Sequence, residues 1–375
     1  MIPVAEPALS QEDIARANDC FATGWISSAG KYIEEFEQRW AAYCGMPYGV
    51  AVSNGSVALD VALRLLSLTP GDEVIMPSFT IISCAQAITA VGGIPVLVDS
   101  ESAAWQMDVS QIESKITSRT KAIMVVHIYG HPVDMDPILE ICKKHNLKLI
   151  EDAAEVHGAR YKGRLCGSFG DIVTFSFFAN KLITTGEGGM ILLKDEELAR
   201  RARSQRNLCF QPKRRFLHDE LGNNFRLTNV QAALGVGQVA RIEEIVDRKR
   251  AIAHRYKEIL GDIPGVQQHG EMPWGKNVYW IYGLLLDERY GADCRAVMED
   301  LAQRGVETRP FFLGMHEQPV FKKMGLFCDG ERYPVAERLA RHGFYIPSGL
   351  TITDEQIVYV AKNLTEALQA KNVER

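Results

Sequence analysis

At 375 residues and 41.8 kDa the chain exceeds one ordinary compact domain, and its 46% hydrophobic and 24% charged composition excludes disordered, collagen-like and fibrous classes. A formal charge of −5 and a pI of about 6.0 leave no global basic field to hold a polyanion or an acidic membrane surface, so no nucleic acid and no membrane partner is expected. The opening MIPVAEPALSQED is acidic and lacks a continuous apolar run, so it reads as neither secretory signal nor transit peptide, and a cytoplasmic protein is expected.

In chain order, from about residue 48 to 193, β-rich runs alternate with helical stretches. YGVAV precedes the helix SVALDVALRLL, DEVIMP precedes IISCAQAITAV, and IPVLVD follows; KAIMVVHIYG precedes DPILEICKKH, and LKLIED, DIVTFSF and GGMILL complete the series. This alternation predicts a largely parallel sheet covered on both faces, with ligands collecting at the carboxyl ends of its strands. The uncharged run 76–98 is long enough to cross a bilayer, but Pro77, Gly92, Gly93 and Pro95 punctuate it into strand, helix and strand.

Residues 228–260 carry apolar side chains at helical spacing, which predicts one long amphipathic helix or two. After Pro264 and Gly265, a strand-like YWIYGLLL, a helix over 295–304 and a closing helix from about Asp354 read as a smaller α+β unit. The expected organisation is a large α/β domain over 1–245, including the N-terminal segment, and a small α+β domain over 246–375. Eight cysteines, at positions 20, 44, 84, 142, 166, 209, 294 and 328, contain no C-x-x-C pair and are expected to be reduced and structural.

The chemistry concentrates at the end of LKLIED, which carries Asp152, and at FSFFANK, which ends on Lys181 before T-T-G-E-G-G. A lysine and an acid at neighbouring strand ends are what a pyridoxal 5′-phosphate (PLP) enzyme requires: the amine holds the aldehyde and moves protons, and the carboxylate keeps the pyridine nitrogen protonated. Phe175, Phe177 and Phe178 before Lys181 imply partial desolvation, which lowers the ammonium pKa towards a usable nucleophile. For the phosphate, S-N-G-S at 53–56 opens a helix after a strand, so N–H groups of Gly55, Ser56 and Val57 can face an anion; equally, Ser56 can simply cap that helix. Ser176 adds a hydroxyl, or is an ordinary polar residue on an outward strand face.

Three other features have plainer readings. Gly235 to Ala240 matches G-x-G-x-x-A, but within helical periodicity, so it reads as a close helix contact. His127 and His131 do not share a helix face as a zinc pair would, and a structural role is expected. Arg200, Arg201, Arg203, Arg206, Lys213, Arg214 and Arg215 lie in sixteen residues without an acid; they read as a solvated helix face or as partners of a diphosphate-bearing substrate.

These residues resemble the DegT/DnrJ/EryC1/StrS family of fold-type I, PLP-dependent nucleotide-sugar aminotransferases. The resemblance runs from I-P-V-A-E-P through G-W-I-S-S-A-G-K-Y, S-N-G-S-V-A-L, E-D-A-A-E and F-S-F-F-A-N-K to G-N-N-F-R-L-T-N. It implies that Lys181 is the cofactor lysine, that Asp152 partners the pyridine nitrogen and that Glu155 neighbours the ring oxygen. Gly55, Ser56, Val57 and Ser176 would hold the phosphate, and Asn224 would reach the cofactor phosphate of a neighbouring subunit, so a homodimer with shared active sites is expected. Where many relatives place a stacking aromatic after P-S-F-T, this chain has Ile81, an aliphatic wall. Lys181 itself argues against the family's dehydratase branch, which carries histidine there.

The segments W-Q-M-D-V, H-I-Y-G-H-P-V-D-M and V-E-T-R-P-F-F look most like the branch that aminates C4 of GDP-4-keto-6-deoxymannose with L-glutamate as donor, for O-antigen and other surface-polysaccharide sugars. A C3- or C4-aminotransferase for a dTDP- or UDP-linked keto sugar is the alternative within the chemistry, and a non-catalytic PLP-binding regulator is the alternative outside it. Ser27 and Arg309 are candidate substrate contacts.

Overall fold

The computed structural model describes residues 1–211, 213–327 and 330–373. Helices α1 (Gln11–Thr23) and α2 (Lys31–Cys44) precede a seven-stranded sheet. Its strands are β1 (Tyr48–Val52), β2 (Glu73–Pro77), β3 (Ile94–Val98), β4 (Thr120–Val126), β5 (Lys148–Asp152), β8 (Ile172–Ser176) and β9 (Gly189–Leu193), with a short hairpin, β6 (Arg160–Tyr161) and β7 (Arg164–Leu165), between β5 and β8. Interleaved are α3 (Gly55–Leu65), α4 (Ile82–Ala90) and α5 (Met135–His145).

All seven apolar runs are strands, in the order β1-β9-β8-β5-β4-β2-β3. The stretch from β3 to β8 is parallel, and β9 runs antiparallel to both its neighbours. Register places Val126 beside Asp152 and Asp152 beside Thr174, so adjacent strands end at one edge. Helices can cover both faces because the strands are apolar on both: β2 and β9 are buried along their whole length.

Next come α6 (Glu196–Arg206), α7 (Asn229–Ala240) and α8 (Ile242–Leu260), so 228–260 forms two helices that part at Arg241. Arg241 turns there to reach the buried Asp13 carboxylate at 2.7 Å. Within α7 the glycines are packing residues: a Cβ on Gly235 would stand 2.6 Å from the Phe36 ring, and one on Gly237 would stand 2.0 Å from Asp13 Oδ1.

The remaining chain forms β10 (Val266–Gln268), β11 (Gly275–Lys276), β12 (Tyr282–Leu286), α9 (Arg295–Gln303), β13 (Arg309–Pro310), α10 (Pro319–Lys323), α11 (Pro334–His342), β14 (Gly343–Ile346) and α12 (Asp354–Val373). Strands β10-β12-β14-β13 make a second sheet. A separate core between that sheet and the helices gathers Ile252, Tyr256, Leu284, Val297, Phe344 and Leu364. The N-terminal residues pair with this second unit, because Ile2 N–H donates to Gly305 O at 2.7 Å and Glu307 N–H to Ile2 O at 3.0 Å. The expected strand YWIYGLLL is shortened to Tyr282–Leu286: Tyr279 takes a left-handed φ of +49°, held by a 2.7 Å bond from its N–H to Asn277 Oδ1, and the backbone turns.

Cys328 lies outside the described residues; the other seven cysteines are free and buried. Among the described residues no helix is long and apolar enough to cross a membrane. His127 accepts from Val133 N–H through Nδ1 at 3.0 Å, so Nε2 carries the proton that faces Glu151 at 3.1 Å. His131 is likewise engaged at both ring nitrogens, by Pro132 O and Met272 N–H. Glu151 also accepts from the N–H groups of Gly167, Phe169 and Gly170. Burial works against its charge, but these bonds hold its pKa below the usual glutamate value.

Candidate active site

The strand ends open into a cavity of about 590 Å³, within the size range of small-molecule sites. The fold delivers Asp152 to it from the end of β5, Ser176 from the end of β8 and Lys181 from the turn that follows. Gly55 and Ser56 arrive on the first turn of α3, and Ile81 and Ser83 at the start of α4. Trp280, Phe312 and Tyr345 close it from the C-terminal part of the chain.

Lys181 Nζ is 3.8 Å from Glu155 Oε1 and 3.7 Å from the centre of the Trp280 ring. Burial pushes the Lys181 pKa down, against the opposing pull of the Glu155 and Asp152 carboxylates. Burial raises Glu155 to about 7, although Lys181 and a 2.7 Å bond from Tyr129 N–H favour its charged form. Burial drives both members towards neutrality, while each one's charge favours the charge of the other. Asp152 is also raised by burial, opposed by the Ala154 N–H at 3.1 Å and the Cys84 thiol at 3.4 Å.

At the other end of the cavity α3 is capped by Asn54, whose Oδ1 accepts from Val57 N–H at 2.9 Å. This corrects two expectations. The Val57 N–H is already engaged and cannot face an anion, and Ser56 is not the cap; its hydroxyl instead pairs with Ser83 Oγ at 2.8 Å. Gly55 and Ser56 keep first-turn N–H groups that have no intrahelical acceptor. The backbone of Gly55 lies so close to β8 that a Cβ there would stand 2.6 Å from Ser176 Cβ.

PLP fits these residues on three counts. The Gly55 cradle is space that only a hydrogen leaves open; Asn180 Oδ1 in the cavity wall is a buried acceptor without a protein partner; and the cavity offers an amine at one point and a carboxylate at another. Ile81, 39% exposed, supplies the aliphatic wall.

Three expected residues lie away from this cavity. Ser27 is exposed, and its carbonyl accepts from Asn229 N–H. Asn224 is exposed, and its Oδ1 accepts from Arg226 Nε at 2.8 Å. Arg309 is exposed and paired with Glu307, one strand across from the lining residue Tyr345. The basic run divides: Arg203 and Arg206 fasten α6 to the carbonyls of Gly49 and Ala51 and to Glu37, and Arg200 pairs with Glu197. Arg203, Arg206, Arg215 and Arg226 share a second cavity with Ser28, and no acid is among its described lining residues.

The sequence reading missed Asn54, Ser83, Trp280, Phe312 and Tyr345. The S-N-G-S motif did contain a signal for Asn54, an excellent capping residue. Tyr345 comes from β14, and Trp280 and Phe312 from the segments just before β12 and just after β13, all distant along the chain, and they carried none.

A buried lysine, a buried carboxylate and an open helix N-terminus at the strand ends of a mostly parallel sheet define a fold-type I PLP-dependent aminotransferase. Comparison with known proteins agrees. The chain belongs to the DegT/DnrJ/EryC1/StrS aminotransferase family, matched over residues 7–365. It is 41% identical over 365 residues to GDP-perosamine synthase of Escherichia coli O157:H7, covering 97% of this chain and 98% of that one. Among solved structures it is similar to the aminotransferase TlmJ from Streptoalloteichus hindustanus, at 30% identity and a TM-score of 0.92 over 99% of both chains. It is also similar to the PLP-form of the putative sugar aminotransferase Spr1654 from Streptococcus pneumoniae, at 25% identity and a TM-score of 0.91 over 99% of both chains.

Proposed function

We propose that this protein transfers the amino group of L-glutamate to the C4 keto group of GDP-4-keto-6-deoxymannose, giving GDP-perosamine and 2-oxoglutarate for surface-polysaccharide (O-antigen) synthesis in the cytoplasm. The observation that carries the chemistry is Lys181 buried between Glu155 and Trp280, with Asp152 on the same cavity wall. The sugar and base are supported by the 41% identity to a GDP-perosamine synthase over nearly the whole chain.

Bound PLP supplies an electron sink and a temporary carrier for the amino group. Lys181 Nζ is the group that moves protons: as a free amine it would accept the α-proton of glutamate and return it to the C4′ carbon of the cofactor, and in the second half-reaction it would deliver a proton to C4 of the sugar. Burial favours that free amine, against the pull of the Glu155 carboxylate 3.8 Å away. Asp152 holds the pyridine nitrogen, and Tyr129 N–H fixes Glu155 towards the ring oxygen. The N–H groups of Gly55 and Ser56 and the Ser176 hydroxyl hold the phosphate. Trp280 and Phe312 exclude water from the reacting atoms.

The working unit in this reading is a homodimer. Asn224 and Ser27 are exposed and lie off their own cavity, which suits residues that serve a partner's site. Phe21, Trp25, Phe216 and Leu221 are each between 59% and 88% exposed, apolar side chains of the kind a second copy would cover.

The test is turnover of the purified protein with glutamate and a panel of GDP-, dTDP- and UDP-linked keto sugars. GDP-4-keto-6-deoxymannose is expected to be the preferred acceptor, with Lys181→Ala inactive. Preference for a dTDP or UDP sugar would move the substrate assignment, and a fully active Lys181→Ala would overturn the mechanism.

A further inference from the structure

The first turn of α4 touches both ends of the cavity. Ser83 pairs with Ser56 on the α3 side at 2.8 Å, and Cys84, the next residue, points the other way, at Asp152. Its thiol donates to Asp152 Oδ2 at 3.4 Å, and the Thr80 hydroxyl lies 3.6 Å behind the sulfur. Thr80, Cys84 and Asp152 are all at most 2% exposed. The other carboxylate oxygen, Oδ1, takes the Ala154 N–H at 3.1 Å and, more distantly, the Thr174 hydroxyl at 3.5 Å.

We propose that Cys84 is a positioning residue for Asp152. Its S–H, backed by Thr80, fixes the carboxylate and keeps the shared proton on the cofactor's ring nitrogen. The inference rests on the PLP reading of the site and on Asp152 as the partner of that nitrogen.

A carboxylate in a dry site keeps its charge only where donors face it, and each one removed makes it more basic. If Asp152 becomes more basic, it takes the proton that the pyridine should hold, and the ring loses power as an electron sink. A thiol suits this position because it is a weak donor that leaves room for a stronger bond from the ring. Burial and the neighbouring Asp152 charge push the Cys84 thiol well above its ordinary pKa, so it remains a donor and never adds a second anion.

The experiment compares wild type, Cys84→Ala, Cys84→Val, Cys84→Ser and Asp152→Asn, each loaded with PLP labelled with nitrogen-15 in the ring. The readouts are the chemical shift of the bound nitrogen across pH and the single-turnover rate with glutamate. In Cys84→Ala and Cys84→Val the shift is expected to move towards that of unprotonated pyridine and the rate to fall about fivefold, the scale of one lost hydrogen bond. Cys84→Ser, which restores a donor, is expected to return both to within about twofold of wild type. Ala is one heavy atom smaller than Cys and Val one larger, so the two donor-free variants disturb the packing in opposite directions, and an effect common to both reports the lost donor. A wild-type pyridinium signal unchanged in the donor-free variants would overturn the role of Cys84. A wild type without that signal, or an Asp152→Asn that retains it, would overturn the reading of Asp152 instead.

Discussion

Adding a single methyl group at Gly55 tests the phosphate cradle directly. In Gly55→Ala the new Cβ would stand 2.6 Å from Ser176 Cβ, 3.1 Å from its Oγ and 3.3 Å from its Cα. Favourable carbon contacts lie at about 3.5–4.0 Å, so the start of α3 and the end of β8 must separate by about 1 Å. Rotating Ser176 relieves only the Oγ contact. Its Cβ and Cα are fixed by the pairing of Ser176 with Gly189, whose own Cβ position is filled by the Asn54 carbonyl at 2.3 Å. Overpacking of this kind costs about 1–3 kcal/mol, while alanine's better helix propensity returns about 0.5–1 kcal/mol to the protein without ligand. The phosphate gains no such compensation, because the two N–H groups that should bind it move with the helix. At 1.4 kcal/mol per tenfold, PLP affinity should fall about 10- to 100-fold while unfolding stability drops by only about 1–2 kcal/mol. Calorimetric titration with PLP, paired with melting curves with and without it, separates the two effects. Unchanged affinity in a folded Gly55→Ala protein would mean that the phosphate does not bind at α3.

Asn54→Ala removes the α3 cap and should cost about 1 kcal/mol in denaturant unfolding, with weaker PLP binding as the first turn frays; equal midpoints would count against the cap. In Glu155, burial raises the pKa to about 7, so the folded chain keeps a proton that the unfolded chain releases near pH ~4.3. Its stabilising contribution is therefore complete below the unfolded value and is lost as pH rises through about 7. Glu155→Gln cannot ionise, and its melting temperature without PLP should fall less than that of wild type between pH 5 and 8; an identical fall in both would refute the assignment. Lys249 is a buried ammonium on α8 whose polar partners are Ser348 O at 2.5 Å and Ser348 Oγ at 3.4 Å, and burial lowers its pKa to about 7. Its destabilising effect is greatest below pH 7 and fades as pH rises towards roughly 10.4, where the unfolded chain also loses the proton. Lys249→Met should therefore raise stability by about 2 kcal/mol at pH 6, with the gain shrinking by pH 9, as read from urea unfolding at both pH values.

The seven strands were legible because strands buried on both faces are continuous apolar runs, and GGMILL looks the same whichever way it points. That symmetry is also why the reversed direction of β9 was not legible: a run of Met190, Ile191, Leu192 and Leu193 carries no sign of polarity. The shortened β12 has a comparable cause. Tyr279, Trp280 and Ile281 are good strand formers, but the local bond from Tyr279 N–H to Asn277 Oδ1 and the tertiary bond from Val278 N–H to Gly130 O bend the backbone before pairing begins.

Within the site, legibility follows the range of the interaction. Asp152 and Lys181 could be found because a strand end and a glycine turn are local signals that constrain where a side chain emerges. The choice between Asn54 and Ser56 as cap could not, because both are competent and the decision is made by Ser83, which engages the Ser56 hydroxyl from another helix. Trp280 lies furthest from any local cue, yet it covers Lys181 at 3.7 Å while its indole N–H donates to Asn180 O at 2.7 Å, beside the lysine. In the proposed reaction the lysine works as a free amine, and burial lowers its pKa; Trp280, about a hundred positions away along the chain, is part of that cover, while its ring face also attracts a cation. A strand-end lysine with its local motif intact but with that cover removed would regain water and a more ordinary ammonium pKa. The motif therefore marks the candidate amine, and residues from the C-terminal part of the chain complete its burial.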